Sequence, residues 1–135
     1  MKHAIYVLLA ALGLLLASCK KHRDDLPPIY MEGVWREIGM TGVAIIWYPD
    51  SIRRYLSLDI NHQYEQYNQD TVSSRGTYEL MTVNEYWTHK KMRGIQFSGD
   101  HVPYTLQMRH DTLVIANNDG ALDGYVRYYK KVPSM

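Results

Sequence analysis

The sequence predicts an all-β domain, an antiparallel up-and-down barrel of about eight strands. Three observations support this: apolar and polar residues alternate in runs of strand length, turn-forming residues separate the runs, and no long stretch has helical periodicity. A two-sheet β-sandwich is the alternative, because periodicity alone does not distinguish the two architectures. Closing the sheet would pair its first strand with its last and remove both exposed edges, which favours the barrel.

The predicted strands number eight or nine between Gly33 and Val132. Alternate side chains of a strand point to opposite faces, so apolar residues at every second position share one face. The apolar positions that share a face in this way are Leu56, Leu58, Tyr78, Leu80, Ile95, Phe97, Leu106 and Met108. We expect these side chains to point into the barrel.

Residues with turn chemistry occur between the predicted strands. Asn, Asp and Gly tolerate positive φ or bond their own backbone, so they suit tight hairpins. Such residues occur at Asn61-His62, Asp70-Thr71, Ser98-Gly99-Asp100, His110-Asp111 and Asn117-Asn118-Asp119-Gly120. Asp119-Gly120 is the strongest of these hairpin signals. Turns this frequent favour an antiparallel meander over βαβ units.

Residues 1–18 have the organisation of a secretory signal. Lys2 and His3 precede an apolar run from Ala4 to Leu15, which is shorter than the roughly 20 residues of a membrane-spanning helix. The segment that follows, Leu16-Ala17-Ser18-Cys19, resembles the lipobox of bacterial lipoproteins. That resemblance implies that Cys19 is acylated and becomes the mature N-terminus. The alternatives are an ordinary signal peptide and an uncleaved anchor, and the charged residues 20–25 disfavour the anchor.

The lipobox resemblance also implies a location and a domain organisation. Lys20 is not the acidic residue linked to retention in an inner membrane, so the outer membrane is favoured, with its periplasmic or surface face left open. Residues 19–32 are expected to be the acylated cysteine and a flexible tether, in which Pro27-Pro28 favours extended backbone. Residues 33–135 form the barrel domain. Cys19 is the only cysteine, so its acylation leaves no thiol for a disulfide, a metal site or a nucleophile.

The charge of the chain argues against nucleic-acid binding. The sequence has 15 Lys and Arg against 14 Asp and Glu, and removing residues 1–18 removes only Lys2. The mature chain is therefore neutral when its histidines are neutral, which provides no electrostatic attraction to phosphate backbones.

Two further motifs resemble the lipocalin family. Gly33-Val34-Trp35 opens the first predicted strand, and Arg127 lies on the last. In lipocalins the tryptophan of a Gly-x-Trp motif packs at the closed end of an eight-stranded barrel, and a late arginine lies across its ring. The resemblance implies a lipocalin-like barrel with closure residues Gly33, Trp35 and Arg127. The alternative is that Trp35 is an ordinary core residue and Arg127 a solvated one.

Signals for catalysis are few. His62, His101 and His110 lie at predicted turns, and the histidines as a set have no spacing typical of metal ligands. The sequence contains neither Gly-x-Ser-x-Gly nor a phosphate-binding glycine loop. We therefore expect no enzyme, no catalytic residue, no metal and no cofactor.

Two functions remain as expectations. In the first, a membrane-anchored extracytoplasmic lipoprotein binds a small apolar or amphipathic ligand inside the barrel, and the eight interior-facing residues line the ligand. In the second, those residues fill the barrel completely, and the domain is a surface-tethered interaction or structural module. Its binding face would then use the aromatic residues Trp47, Tyr48, Tyr86 and Trp87. The sequence identifies no protein partner.

Overall fold

The computed structural model describes residues 26–42, 44–120 and 124–133. The signal segment and Cys19 lie outside these residues. The strands are β1 Gly33–Thr41, β2 Ile45–Trp47, β3 Arg54–Leu58, β4 Gln63–Asn68, β5 Thr71–Asn84, β6 Lys91–Phe97, β7 Tyr104–Arg109, β8 Thr112–Ala116 and β9 Val126–Val132. Within this part of the chain, no helix is long and apolar enough to cross a membrane.

Eight strands form a closed antiparallel ring. Their order is β1-β3-β4-β5-β6-β7-β8-β9, and β1 also pairs with β9. On its other edge β1 pairs with β3 through residues 33–36 and with the additional short strand β2 through residues 39–41. The prediction of an antiparallel barrel of about eight strands is confirmed. The sandwich alternative is wrong, because the sheet is continuous around the ring.

An irregularity in β1 changes which of its side chains point inwards. Glu37 pairs with Tyr129, whereas Gly39 pairs with Tyr128, so Ile38 has no partner on β9. Such a bulge shifts the alternation by one residue. As a result Glu37 and Met40, which are three residues apart, lie on the same face of the sheet.

One half of the barrel is filled by apolar and aromatic side chains. The buried cluster consists of Met31, Trp35, Leu56, Leu58, Tyr64, Tyr78, Ile95, Phe97, Leu106, Leu113, Ile115 and Tyr129. Six of the eight residues expected to point inwards belong to this cluster. The other two, Leu80 and Met108, are partly buried and pack against it.

Residues 26–32, here called the plug segment, cross one end of the barrel. The indole Nε1 of Trp35 on β1 donates to the carbonyl oxygen of Met31 at 2.7 Å. The guanidinium of Arg93 on β6 donates to the carbonyls of Leu26 at 2.5 Å and Pro27 at 3.3 Å. Because β1 and β6 are four strands apart in both directions around the ring, these bonds hold the segment from opposite sides. This part of the expected tether is therefore packed on the barrel.

The connections agree with the turn prediction at several places. His62, Asp70 and His110 adopt left-handed φ angles of 59°, 64° and 57°. The prediction for Asp119-Gly120 is only partly right. Gly120 has a positive φ of 72°, but the β8–β9 connection runs from residue 117 to residue 125 and is not a two-residue hairpin.

Candidate functional site

Polar side chains occupy the barrel interior at the end away from the plug segment. Trp35, which binds the plug segment, lies opposite Lys131, whereas Arg127 lies opposite Met40, further along the same pair of strands. Five residues from four strands define what we call the mouth site: Glu37, Arg54, Gln66, Arg127 and Tyr129. They line a solvent-open cavity of about 190 Å³, completed by Met40, Tyr55, Tyr67, Asn68 and Ser73.

Glu37 is a buried acidic residue in this site, with 7% of its surface exposed. Its inward position follows from its pairing with Tyr129 beside the β1 bulge. Burial raises the pKa of the Glu37 carboxyl, and the nearby positive charges of Arg127 and Arg54 oppose this effect in part. The site therefore holds a carboxylate whose charge is costly to bury.

Arg127 and Tyr129 lie on the same face of β9, two residues apart. Tyr129 is 4% exposed, and its burial together with the charge of Glu37 raises the pKa of its hydroxyl to about 12. Arg127 is exposed to solvent at the rim. Desolvation opposes its charge, but interactions with Tyr129, Glu37 and Tyr104 outweigh this effect and raise the pKa of Arg127.

Arg54 is held at the first position of β3 by Tyr48. Its Nη1 donates to the Tyr48 hydroxyl at 3.2 Å, and its guanidinium carbon lies 5.1 Å from the centre of the Tyr48 ring. A hydrogen bond combined with cation–π stacking restricts the rotamers of the arginine. Arg54 thus presents a pre-positioned guanidinium to the cavity.

A second, smaller cavity adjoins the mouth site beside the β6–β7 and β8–β9 connections, where Asp100, Asn117 and Tyr125 line it. Its volume is about 30 Å³, which is the space of about one water molecule. It shares Gln66, Arg127 and Tyr129 with the larger cavity, and its other lining residues include Phe97 and Ile115 from the buried cluster. The small cavity therefore lies between the mouth site, these connections and the edge of the buried cluster.

The eight residues expected to line a ligand do not surround a cavity of their own. Phe97 reaches the small cavity, and Tyr78 and Phe97 also border an open depression beside the β6–β7 connection. The others line neither the larger nor the smaller cavity of the mouth. The physical reason is size: the interior of an eight-stranded barrel is just wide enough for side chains, and the rings of Trp35, Tyr64 and Tyr78 fill much of it.

The closure residues differ from the expected arrangement in one position. Trp35 is 2% exposed at the plugged end, and Gly33 has a φ of +130°, which L side chains rarely adopt. The cation over the Trp35 ring is Lys131, whose Nζ lies 5.5 Å from the ring centre. Arg127 lies opposite Met40, about 16 Å along β1 from Trp35. The assignment of Arg127 as the cap of Trp35 is therefore corrected to Lys131.

The aromatic residues proposed for a binding face lie in separate places. Trp47 packs against Tyr128 with ring centres 5.3 Å apart, and Tyr86 packs edge-on against Trp87 at 5.2 Å. Tyr48 instead stacks on Arg54. The four aromatic residues therefore form two separate ring pairs and one contact with Arg54, a residue of the mouth site.

The histidines at the predicted turns occupy turns or loops. His62 and His110 have left-handed backbone in hairpin connections, and His101 lies in the β6–β7 connection. All three are exposed. Among the residues that the structure describes, no group of three or more His, Cys, Asp or Glu is placed to hold a metal ion.

Comparisons with protein-family models, with curated proteins and with solved structures find no match to this chain. The fold itself is an eight-stranded antiparallel barrel with one extra strand, an architecture consistent with a lipocalin-like barrel. The mouth site was not predicted from the sequence, although the sequence contains two signals for it. Arg127 and Tyr129 share a face of β9, and Arg54 shares a face of β3 with Leu56 and Leu58.

Proposed function

We propose that this chain is a lipid-anchored extracytoplasmic protein, held at the outer membrane, whose lipocalin-like barrel binds a small amphipathic ligand at the mouth site without transforming it. The observation that supports this function is the solvent-open cavity of about 190 Å³ lined by Glu37, Arg54 and Arg127. Pockets with a few convergent polar groups are typical of ligand sites.

The energetic cost of the mouth site supports binding over a purely structural role. A buried carboxylate such as Glu37 loses hydration, and replacing buried ionic groups with apolar side chains of similar volume is often neutral or stabilising. A barrel that served only as a scaffold would gain stability by extending its apolar core to this end. Retaining two arginines and a glutamate there fits a site that recognises charge.

The fold indicates which end of the barrel would face the membrane if Cys19 is acylated. Arg93 holds Leu26 at the closed end, and only residues 20–25 separate Leu26 from Cys19. This length spans at most about 25 Å when fully extended. A lipid on Cys19 would therefore hold the closed end towards the membrane and leave the mouth site accessible from the aqueous side.

The anchor is tested by expressing the full chain in a diderm bacterium and measuring the intact mass of the product. We expect a chain that begins at Cys19 and carries a diacylglyceryl group with an acyl amide, found in the outer-membrane fraction. Cys19→Ser is the matched control and should yield no lipidated product, because stable attachment requires two or more acyl chains. An unmodified mature chain from the unaltered gene would overturn the anchor.

Ligand binding is tested by native mass spectrometry of the lipidated protein from its own host. We expect a non-covalent adduct of a small compound that is released on denaturation. Arg127→Gln should reduce the adduct, whereas Lys131→Gln, which alters a cation at the closed end, should not. Detection of only the bare lipidated mass would contradict ligand binding.

The second candidate function is a surface-tethered interaction module, and β2 is the observation that favours it. Ile45, Ile46 and Trp47 are all exposed, and among the described strands β2 pairs with β1 alone. An exposed apolar edge strand is a template for pairing with another chain. Replacing Ile46 with Lys would abolish binding to a protein partner but leave the adduct at the mouth site unchanged.

A further inference from the structure

The charged groups of the mouth site do not balance. Two guanidinium groups, on Arg54 and Arg127, accompany the carboxyl of Glu37 in the lining of one cavity. With Glu37 ionised, this trio carries one excess positive charge. One negative charge on a ligand would neutralise it, while a cation would be repelled and a dianion would leave an excess of negative charge.

The size of the cavity limits the part of a ligand that lies inside the solvent-open mouth. About 190 Å³ corresponds to roughly six water molecules at about 30 Å³ each, and hence to about six non-hydrogen atoms. Phe97 and Ile115 of the buried cluster line the adjoining cavity of about 30 Å³. A long chain cannot extend into the barrel, because the buried cluster fills it.

The two arginines suit a carboxylate in particular. A guanidinium has five N–H donors in a planar fork that matches the two oxygens of a carboxylate, so the bond from Arg54 to Tyr48 leaves other donors for a ligand. The hydrogen bond and cation–π contact with Tyr48 restrict Arg54 before a ligand arrives, which lowers the entropic cost of binding. Met40 supplies an apolar wall for a short hydrocarbon chain.

From these observations we infer that the mouth site selects a short-chain monocarboxylate of about four carbons, whose oxygens accept hydrogen bonds from Arg54 and Arg127. This inference rests on the proposed ligand-binding function and specifies the chemical class of its ligand. The chain of the ligand lies against Met40, and Glu37 excludes ligands with more than one negative charge.

The inference is tested by an NMR titration of the mature lipidated protein in neutral detergent micelles. The probes are butyrate, 1-butanol, butylammonium and inorganic phosphate at equal ionic strength, and the signals followed are the side-chain N–H groups of Arg54 and Arg127. We expect saturable shifts with butyrate and at least tenfold weaker binding of the other three probes. Equal or tighter binding of 1-butanol, butylammonium or phosphate would overturn the carboxylate class while leaving ligand binding intact.

Variants separate this inference from the proposed function. Arg127→Gln and Arg54→Gln should each weaken butyrate binding at least tenfold, and Glu37→Gln should strengthen it. Lys131→Gln is the matched control on the same face of β9 and should leave the affinity unchanged. If none of the four probes produces a saturable shift in a folded protein, the carboxylate inference fails, and the native mass spectrum decides the proposed function independently.

Discussion

The ammonium group of Lys131 lies 5.5 Å from the centre of the Trp35 ring, across the β1–β9 pair that closes the barrel. The indole N–H of Trp35 donates to the carbonyl oxygen of Met31 in the plug segment. Trp35 therefore connects three parts of the closed end: the first strand, the last strand and the plug segment that crosses the barrel towards β6. This end is stabilised by apolar burial, while the opposite end retains charge.

Replacing Trp35 tests the closed end. Trp35→Ala should lower the free energy of unfolding by about 3–5 kcal/mol, because it removes a large buried ring and leaves a cavity. Trp35→Phe keeps an aromatic ring but leaves the Met31 carbonyl without its donor, and should cost less. Chemical denaturation followed by circular dichroism measures both changes. A near-neutral Trp35→Ala would contradict the assignment.

Replacing Arg93 tests the attachment of the plug segment. Arg93→Ala removes the donors to Leu26 and Pro27, so backbone amides of residues 26–32 should exchange faster with deuterium. Arg109→Ala is the control, since Arg109 is an exposed arginine whose guanidinium bonds only to Gln107 among the described contacts. Unchanged exchange in the Arg93 variant would show that the segment is held by other contacts.

Glu37 should make stability depend on pH in a specific direction. Its pKa is raised in the folded protein, so between the ordinary value and the raised value the folded state binds more protons than the unfolded state. Stability contributed by the protonated form is therefore present at low pH and lost as pH rises through that window. The charged and titratable groups that face the Glu37 carboxyl are Arg54 from β3 and Arg127 and Tyr129 from β9.

The pH effect is measured as the difference in unfolding free energy between the unaltered protein and Glu37→Gln. This difference should fall as pH increases above about 4.5, the ordinary glutamate value. Comparison with the variant removes the contributions of other titrating groups. A difference that rises with pH would mean that the two arginines outweigh the cost of burial.

A residue larger than glycine at position 94 should destabilise the fold while Val83 is present. A Cβ at this position would lie 2.5 Å from Cγ1 of Val83 and 3.1 Å from the Tyr104 carbonyl oxygen. Gly94→Ala should therefore cost about 1–3 kcal/mol through overpacking. In the background of Val83→Ala the same change should cost clearly less, and thermal unfolding of the four proteins measures the coupling. If Gly94→Ala lowers stability equally in both backgrounds, its contact with Val83 is not the source of the strain.

The strands could be predicted because their side chains alternate with a period of two. Leu56 and Leu58, or Ile95 and Phe97, share a face in the sequence and in the structure. Lys131 is four residues from Arg127 and so shares its face, but alternation cannot tell which of two cations on one face lies opposite Trp35. That choice depends on the β1–β9 register, which is a long-range feature.

The mouth site could not be predicted for a different reason. Glu37 shares the inward face of Trp35 by alternation, but a charged residue on a strand is expected to face solvent, and the bulge at Ile38 then places Met40 on the same face. Pro27-Pro28 predicts a tether because the pair favours extended, polyproline-like backbone rather than helix. Packing of the plug segment depends on Arg93, which is far away in sequence.

A crystal structure of the protein with butyrate tests most directly whether the mouth site is the ligand site. We expect a carboxylate in the cavity beside Glu37, with its oxygens about 2.7–2.9 Å from guanidinium nitrogens of Arg54 and Arg127. Butyrate bound elsewhere, or a cavity closed by the barrel's own side chains, would contradict it.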